Sequence, residues 1–165
     1  MKIIYNKILP FGPFSLINFL GLVFSKMKPE RITDEIKYHE HTHTEQQEEI
    51  LIASALVSLL LCNIYATWWY LLCVIIMPFA VYAFGFLCAM IFPPYHGVKF
   101  GWDKTLSAGK NIKQWLCSFG QLWLDAYKDN CFEREANAHE KDPHYVLKRS
   151  WCAWAKYIVV KNDEE

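Results

Sequence analysis

The chain has 165 residues, is 53% hydrophobic and 16% aromatic, and carries a formal net charge of zero. Its length suits one domain over residues 1–165, and its neutral balance gives no electrostatic basis for a nucleic-acid partner. The apolar content is high for a soluble domain and is concentrated in one place, since no Asp, Glu, Lys or Arg occurs from Ile50 to Val98.

Residues 1–33 read as an N-terminal strand, hairpin or interfacial segment. "SLINFLGLVF" is apolar and partly β-branched, so a strand is the first choice and an interfacial helix the second. Lys2 and Lys7 precede it, but Pro10, Gly12 and Pro13 break the apolar stretch, so it does not read as a cleaved signal. Thr33 or Asp34 then offers an N-cap with acidic residues in the first turn. A long helix is expected over residues 34–62, polar in its first half and apolar on all faces in its second. Such a helix starts in water or a polar cavity and ends in lipid. A crossing takes about 20 apolar residues, so the uncharged run is long enough for two. A turn at Asn63–Thr67 leads to a second span over 67–92, with Trp68, Trp69 and Tyr70 at one headgroup boundary and Tyr95 at the other. Pro78 is expected to kink that span rather than end it. "PPYHG" at 93–97 closes the hydrophobic region.

Cytoplasmic or interfacial helices are expected over 104–160. One runs from about Ser107 to Asp129, with Trp115, Leu116, Phe119, Leu122, Trp123 and Ala126 on one apolar face. An amphipathic segment, "CFEREANAHE", follows until Pro143 interrupts it. Trp151, Trp154 and Tyr157 form a packing stripe at a spacing of three, and "KNDEE" is a solvated tail. The fold class expected is mainly α, a membrane helical hairpin with zincin-like active-site helices. The six cysteines form no CxxC pair, which argues for reduced thiols rather than a disulfide framework or a zinc knuckle.

The chemistry-bearing pattern is "HEHTH" at 39–43. Residues four apart share a helix face, so His39 and His43 can grip one ion. Glu40 lies beside that face as the candidate base, drawing a proton from water made acidic by zinc. His41 points to the opposite side and reads as solvated. A third ligand is needed, and "FEREAN" supplies the candidates. Glu133 and Glu135 are two apart, so only one faces the site; the alternative is two ordinary solvated charges paired with Arg134 or Lys141. Gln46 and Gln47 read first as the polar rim of the helix, and otherwise as groups that orient a ligand or bind substrate backbone.

"HEHTH" followed by "FEREAN" resembles the gluzincin integral membrane metallopeptidases, which carry His-Glu-x-x-His and a later Glu-x-x-Ala-Asp motif. Aligned on Ala136, the family's third zinc ligand falls on Glu133. The family's Asp falls on Asn137, a departure at a position that otherwise belongs to the second shell. The blocks "PFGPFSLINFLGLVF", "HEHTHTEQQ", "FEREANAHE" and "WCAWAKYIV" are also similar to small membrane proteins common in Bacteroidetes. The resemblance implies a Zn2+-dependent peptidase acting on a peptide or membrane-protein substrate.

The two halves of the site must meet across the uncharged run, so the run must cross the bilayer an even number of times. Its flanks are basic (Lys26, Lys28 and Arg31 before it, Lys99, Lys104 and Lys110 after it), which points to a multi-pass protein of the bacterial inner membrane with its site facing the cytoplasm. The competing expectations are a non-catalytic zinc-binding sensor and a structural membrane subunit with an accidental "HEHTH".

Overall fold

The computed structural model describes residues 1–10, 14–91 and 107–158. The N-terminal stretch forms strands β1 (Lys2–Tyr5), β2 (Leu16–Phe19) and β3 (Leu22–Ser25). Their order is β1-β3-β2, with β1 parallel and β2 antiparallel to β3. Leu20 and Gly21 join β2 to β3 with φ of 47° and 80°, the left-handed pair that matches strand twist in a two-residue hairpin. A Cβ on Gly21 would lie 3.3 Å from Thr44 Cγ2, because the sheet presses on the first helix there.

That helix, α1 (Asp34–Tyr65), is capped by Thr33, whose hydroxyl accepts from the Ile36 amide. It runs three residues past the expected end and stops at Ala66, whose φ of 49° is left-handed. Along its apolar half, Ile52, Leu56, Leu59, Leu60 and Ile64 are exposed while Ser54 and Ser58 are buried. Both serine hydroxyls donate to the carbonyl one turn back. Small residues inward and large aliphatics outward is the arrangement of a helix that faces lipid.

A 3-10 turn (Trp68–Leu72) reverses the chain into α2 (Cys73–Ile91), which continues through Pro78. The stretches Asp34–Tyr65 and Trp68–Ala89 are both long and apolar enough to cross a membrane, with mean hydropathy 1.6 and 2.5. They form an antiparallel hairpin: Tyr65 and Tyr70 meet near its turn, and Tyr82 and Ile50 meet around Phe132 at its other end. The expected turn at 93–97, the boundary residue Tyr95, the basic Lys99 and Lys104, and the tail at 161–165 lie outside the described residues.

After these come α3 (Ala108–Lys128), α4 (Cys131–His139), α5 (Tyr145–Lys148) and a 3-10 turn (Ala153–Tyr157). On the apolar face of α3, Trp115, Leu116, Phe119 and Trp123 are exposed and Ala126 is buried. The expected stripe of Trp151, Trp154 and Tyr157 divides. Cys152 takes a left-handed φ of 54° and turns the chain, so Trp151 is exposed while Trp154 packs on Phe132 at a ring distance of 4.9 Å. Tyr157 instead pairs its hydroxyl with His139 Nε2 at 2.9 Å.

Beneath α4 lies a buried charge cluster. The Arg149 guanidinium donates to both oxygens of Glu135, at 2.6 and 3.2 Å, and to Glu49 Oε1. The Tyr145 hydroxyl donates to Glu135 at 2.7 Å, and the Cys152 amide to Glu49 at 3.1 Å. Glu135 is therefore not a solvated charge paired with Arg134 or Lys141, as its place in "FEREAN" allowed. It is fully buried, and a carboxylate there persists only with donors on each oxygen.

α2 crosses the start of α4 at Gly85, where an added Cβ would sit 2.9 Å from Asn130 Oδ1. That oxygen caps α4 by accepting from the Phe132 amide at 3.2 Å, so Asn130 cannot yield without loss of the cap. Gly85→Ala is expected to cost about 1–2 kcal/mol, read as a lower unfolding midpoint in detergent.

Candidate metal centre

α1 and α4 bring three ligand-type side chains together: His39 and His43, one turn apart on α1, and Glu133 in the first turn of α4. The two Nε2 atoms are 3.1 Å apart. The Glu133 carboxylate straddles them, with Oε2 3.4 Å from His39 Nε2 and Oε1 3.3 Å from His43 Nε2. The rings stand edge to face, 79° apart in plane. This cluster could hold a metal ion. The expected ligand set thus converges across a separation of 90 residues in sequence, and the choice between Glu133 and Glu135 falls to Glu133.

Local structure explains why Glu133 points here. The Asn130 cap starts α4 immediately before Cys131, so Glu133 occupies the third helical position, where unpaired backbone N–H groups favour a negative charge. Burial works to raise the Glu133 pKa, but hydrogen bonds from His39 and His43 outweigh it and hold the carboxyl well below the usual range. Burial likewise works to lower the His43 pKa, and the Glu133 carboxylate outweighs it, leaving His43 raised to about 9. The trio therefore holds a proton tightly; it is a pocket for positive charge, the electrostatic requirement of a cation site.

Glu40 lies beside the trio and is 8% exposed. Burial raises its pKa, partly offset by His43 and His39 and by the Asn18 side chain. Asn18 belongs to β2; its amide also donates to the Glu40 carbonyl and to Thr44 Oγ1. On α3, burial and the nearby Glu133 carboxylate together raise the Tyr127 pKa. Glu40, His39, His43, Asn18, Tyr82 and Tyr127 line a cleft of about 500 Å³. His41 faces away, 45% exposed and 3.8 Å from Glu45, as its position on the helix predicts.

Both glutamines depart from the polar-rim reading. Gln46 is fully buried and accepts from His43 Nδ1 at 2.8 Å. Gln47 clamps the β2–β3 hairpin, donating to the Asn18 carbonyl at 3.0 Å and accepting from the Leu20 amide at 2.6 Å. The rim reading treated α1 as a lone helix, whereas α4 covers one glutamine and the sheet the other. Asn137 is exposed and has no place around the ligands. Sequence reasoning passed over Asn18, Tyr82, Tyr127, Tyr145 and Arg149. Asn18 alone carried a signal, standing in the "IN" of the N-terminal block; the others lie in apolar or unpatterned stretches.

The pairing of His43 with Glu133 sets a pH window for chelator-treated protein. The raised His43 pKa stabilises fully below its ordinary 6.5, and that contribution is lost as pH rises through about 9. The depressed Glu133 pKa stabilises above its ordinary 4.5 and is lost as pH falls further. The unfolding midpoint of chelated protein should therefore fall on both sides of neutrality, and Glu133→Gln should flatten the alkaline fall. Compared with protein-family models, with curated proteins and with solved structures, the chain matches none.

Proposed function

We propose that the chain is a zinc-dependent membrane metallopeptidase in which His39, His43 and Glu133 hold the ion and Glu40 is the base. The observation that carries this is the donor triangle, with edges of 3.1, 3.3 and 3.4 Å. A tetrahedral zinc about 2.0–2.1 Å from each donor separates them by about 3.3 Å. Two imidazoles and one carboxylate are also a catalytic zinc donor set, with the fourth position left for water or substrate.

The ion supplies a Lewis acid that polarises a carbonyl and acidifies water. The chain's own groups do the rest. Glu40, buried at the edge of the trio, accepts a proton from water as the hydroxyl oxygen bonds to the carbonyl carbon. It then delivers that proton to the leaving nitrogen as the C–N bond breaks. Burial favours the protonated carboxyl and so makes Glu40 a better proton carrier near neutrality.

An extended peptide suits the cleft because β2 is an edge strand beside Glu40, paired only with β3 among the described residues. Gln47 holds the Asn18 carbonyl and the Leu20 amide, so the backbone of β2 before Asn18 is the part left to pair with a peptide laid alongside. The Tyr82 hydroxyl is buried and has no hydrogen-bond partner among the described residues, which leaves a donor for substrate. The hairpin of two apolar helices supports a bilayer location, with the trio at the hairpin's open end. Lys26, Lys28 and Arg31 precede that end, which favours the cytoplasmic face of a bacterial inner membrane.

In detergent-purified protein, metal analysis should find near one zinc per chain, lost in His39→Ala and in Glu133→Ala. Glu40→Gln should retain the zinc and lose about 10²–10⁴-fold in peptide hydrolysis, followed with a quenched fluorescent peptide library. Equal cleavage by Glu40→Gln and parent removes Glu40 from the role of base.

A further inference from the structure

Every hydrogen bond of the Gln46 side chain has a forced polarity. Its nitrogen lies 3.0 Å from the Phe132 carbonyl and 2.9 Å from Glu135 Oε2. A carbonyl only accepts, and the Glu135 oxygens already receive the Arg149 guanidinium, which only donates. Both partners therefore face the Gln46 NH2. Its oxygen is left for His43 Nδ1 at 2.8 Å, so Nδ1 carries a hydrogen and Nε2 is the nitrogen left to face an ion beside His39 and Glu133.

His43 does not determine this by itself, since an imidazole donates or accepts equally well at Nδ1. The Phe132 carbonyl fixes the sense of the amide, and Glu135, which Arg149 and Tyr145 hold in place as an acceptor, is the second partner that keeps it there. Arg149 is itself held by Glu49, on the same helix as His43. The path leaves α1 at Glu49, passes through Arg149, Glu135 and Gln46, and returns to α1 at His43.

We propose that Arg149 is a positioning residue for the metal centre: through Glu135 and Gln46 it holds the His43 ring with Nδ1 on the amide and Nε2 toward the ion. This rests on the metal reading above. Groups that orient a metal-bound histidine from behind govern ligand direction and basicity, and Arg149 acts one partner further out. A purely structural Arg149, there only to neutralise Glu49 and Glu135, would change stability and leave His43 untouched.

The test follows the His43 Nδ1–H proton by NMR in histidine-labelled protein in detergent micelles, chelated and zinc-loaded, beside zinc affinity from competition with a chromogenic chelator. Gln46→Met should abolish the protected Nδ1–H signal in both states and weaken zinc binding by about 10–100-fold. Arg149→Lys keeps the charge but cannot fork across two carboxylates; it should broaden or shift the same signal and weaken zinc about tenfold. Glu135→Gln keeps the shape and replaces an acceptor with an ambivalent amide, so it serves as the second variant if Arg149→Lys folds poorly. Parent-like Nδ1–H signals and zinc affinity in the folded Arg149 and Glu135 variants overturn the proposal. A parent that takes up no zinc, with an Nδ1–H signal that still responds to Arg149→Lys, overturns the metal reading and leaves the control of His43 by Arg149 standing.

Discussion

Two carboxylates from distant parts of the chain, Glu49 and Glu135, share one buried guanidinium. Taking three charges out of water is costly, and removing one partner of such a set strands the others at a cost of several kcal/mol. The arrangement is tolerable only when α1, α4 and the segment carrying Arg149 meet in one way. The geometry of the His39, His43 and Glu133 trio follows from that restriction. With Glu135 drawn into the interior, α4 has one rotational setting, and Glu133 two residues earlier is turned outward onto the histidines.

The adjacent glutamines extend the same logic. Gln46 reaches toward α4 and Gln47 toward the sheet, so neighbouring positions on one helix fasten α1 to both of its partners. Amides suit this because each offers donors and an acceptor without a charge to neutralise. The sheet is thereby registered on α1, and Asn18 arrives at Glu40 rather than a residue further along. A slip of one residue in β2 would present the opposite face of the strand and withdraw that amide from the cleft.

Much of the layout was legible because it rests on local periodicity. The helix around "HEHTH", the two apolar stretches, the start of α4 and the N-terminal strand all announce themselves through spacing, caps or composition. His39 and His43 followed from a separation of four, and Glu133 from its motif. What stayed hidden depends on pairing at long range. Nothing near Glu135 marks its outward neighbour as the ligand and itself as a core group, because the deciding partner, Arg149, lies beyond a proline and a turn. Gln46 looked like a rim residue because amphipathicity was judged on α1 alone, before α4 covered it. The apolar face of α3 was correctly placed, but periodicity shows only that a face is apolar and not what it packs against.

α1 is a single unbroken helix of 32 residues, a rod about 48 Å long at 1.5 Å per residue. Its apolar length and its two imidazoles belong to one rigid body, with no joint between them. Seated in a bilayer, such a rod acts as a lever: a change of tilt imposed by hydrocarbon thickness is carried undiminished to the end that bears His39 and His43. Glu133 arrives on a separate, short helix, but Gln46 and the Glu49–Arg149–Glu135 cluster bind that helix to the rod. Any tilt of the rod therefore carries His39, His43 and Glu133 together as one unit.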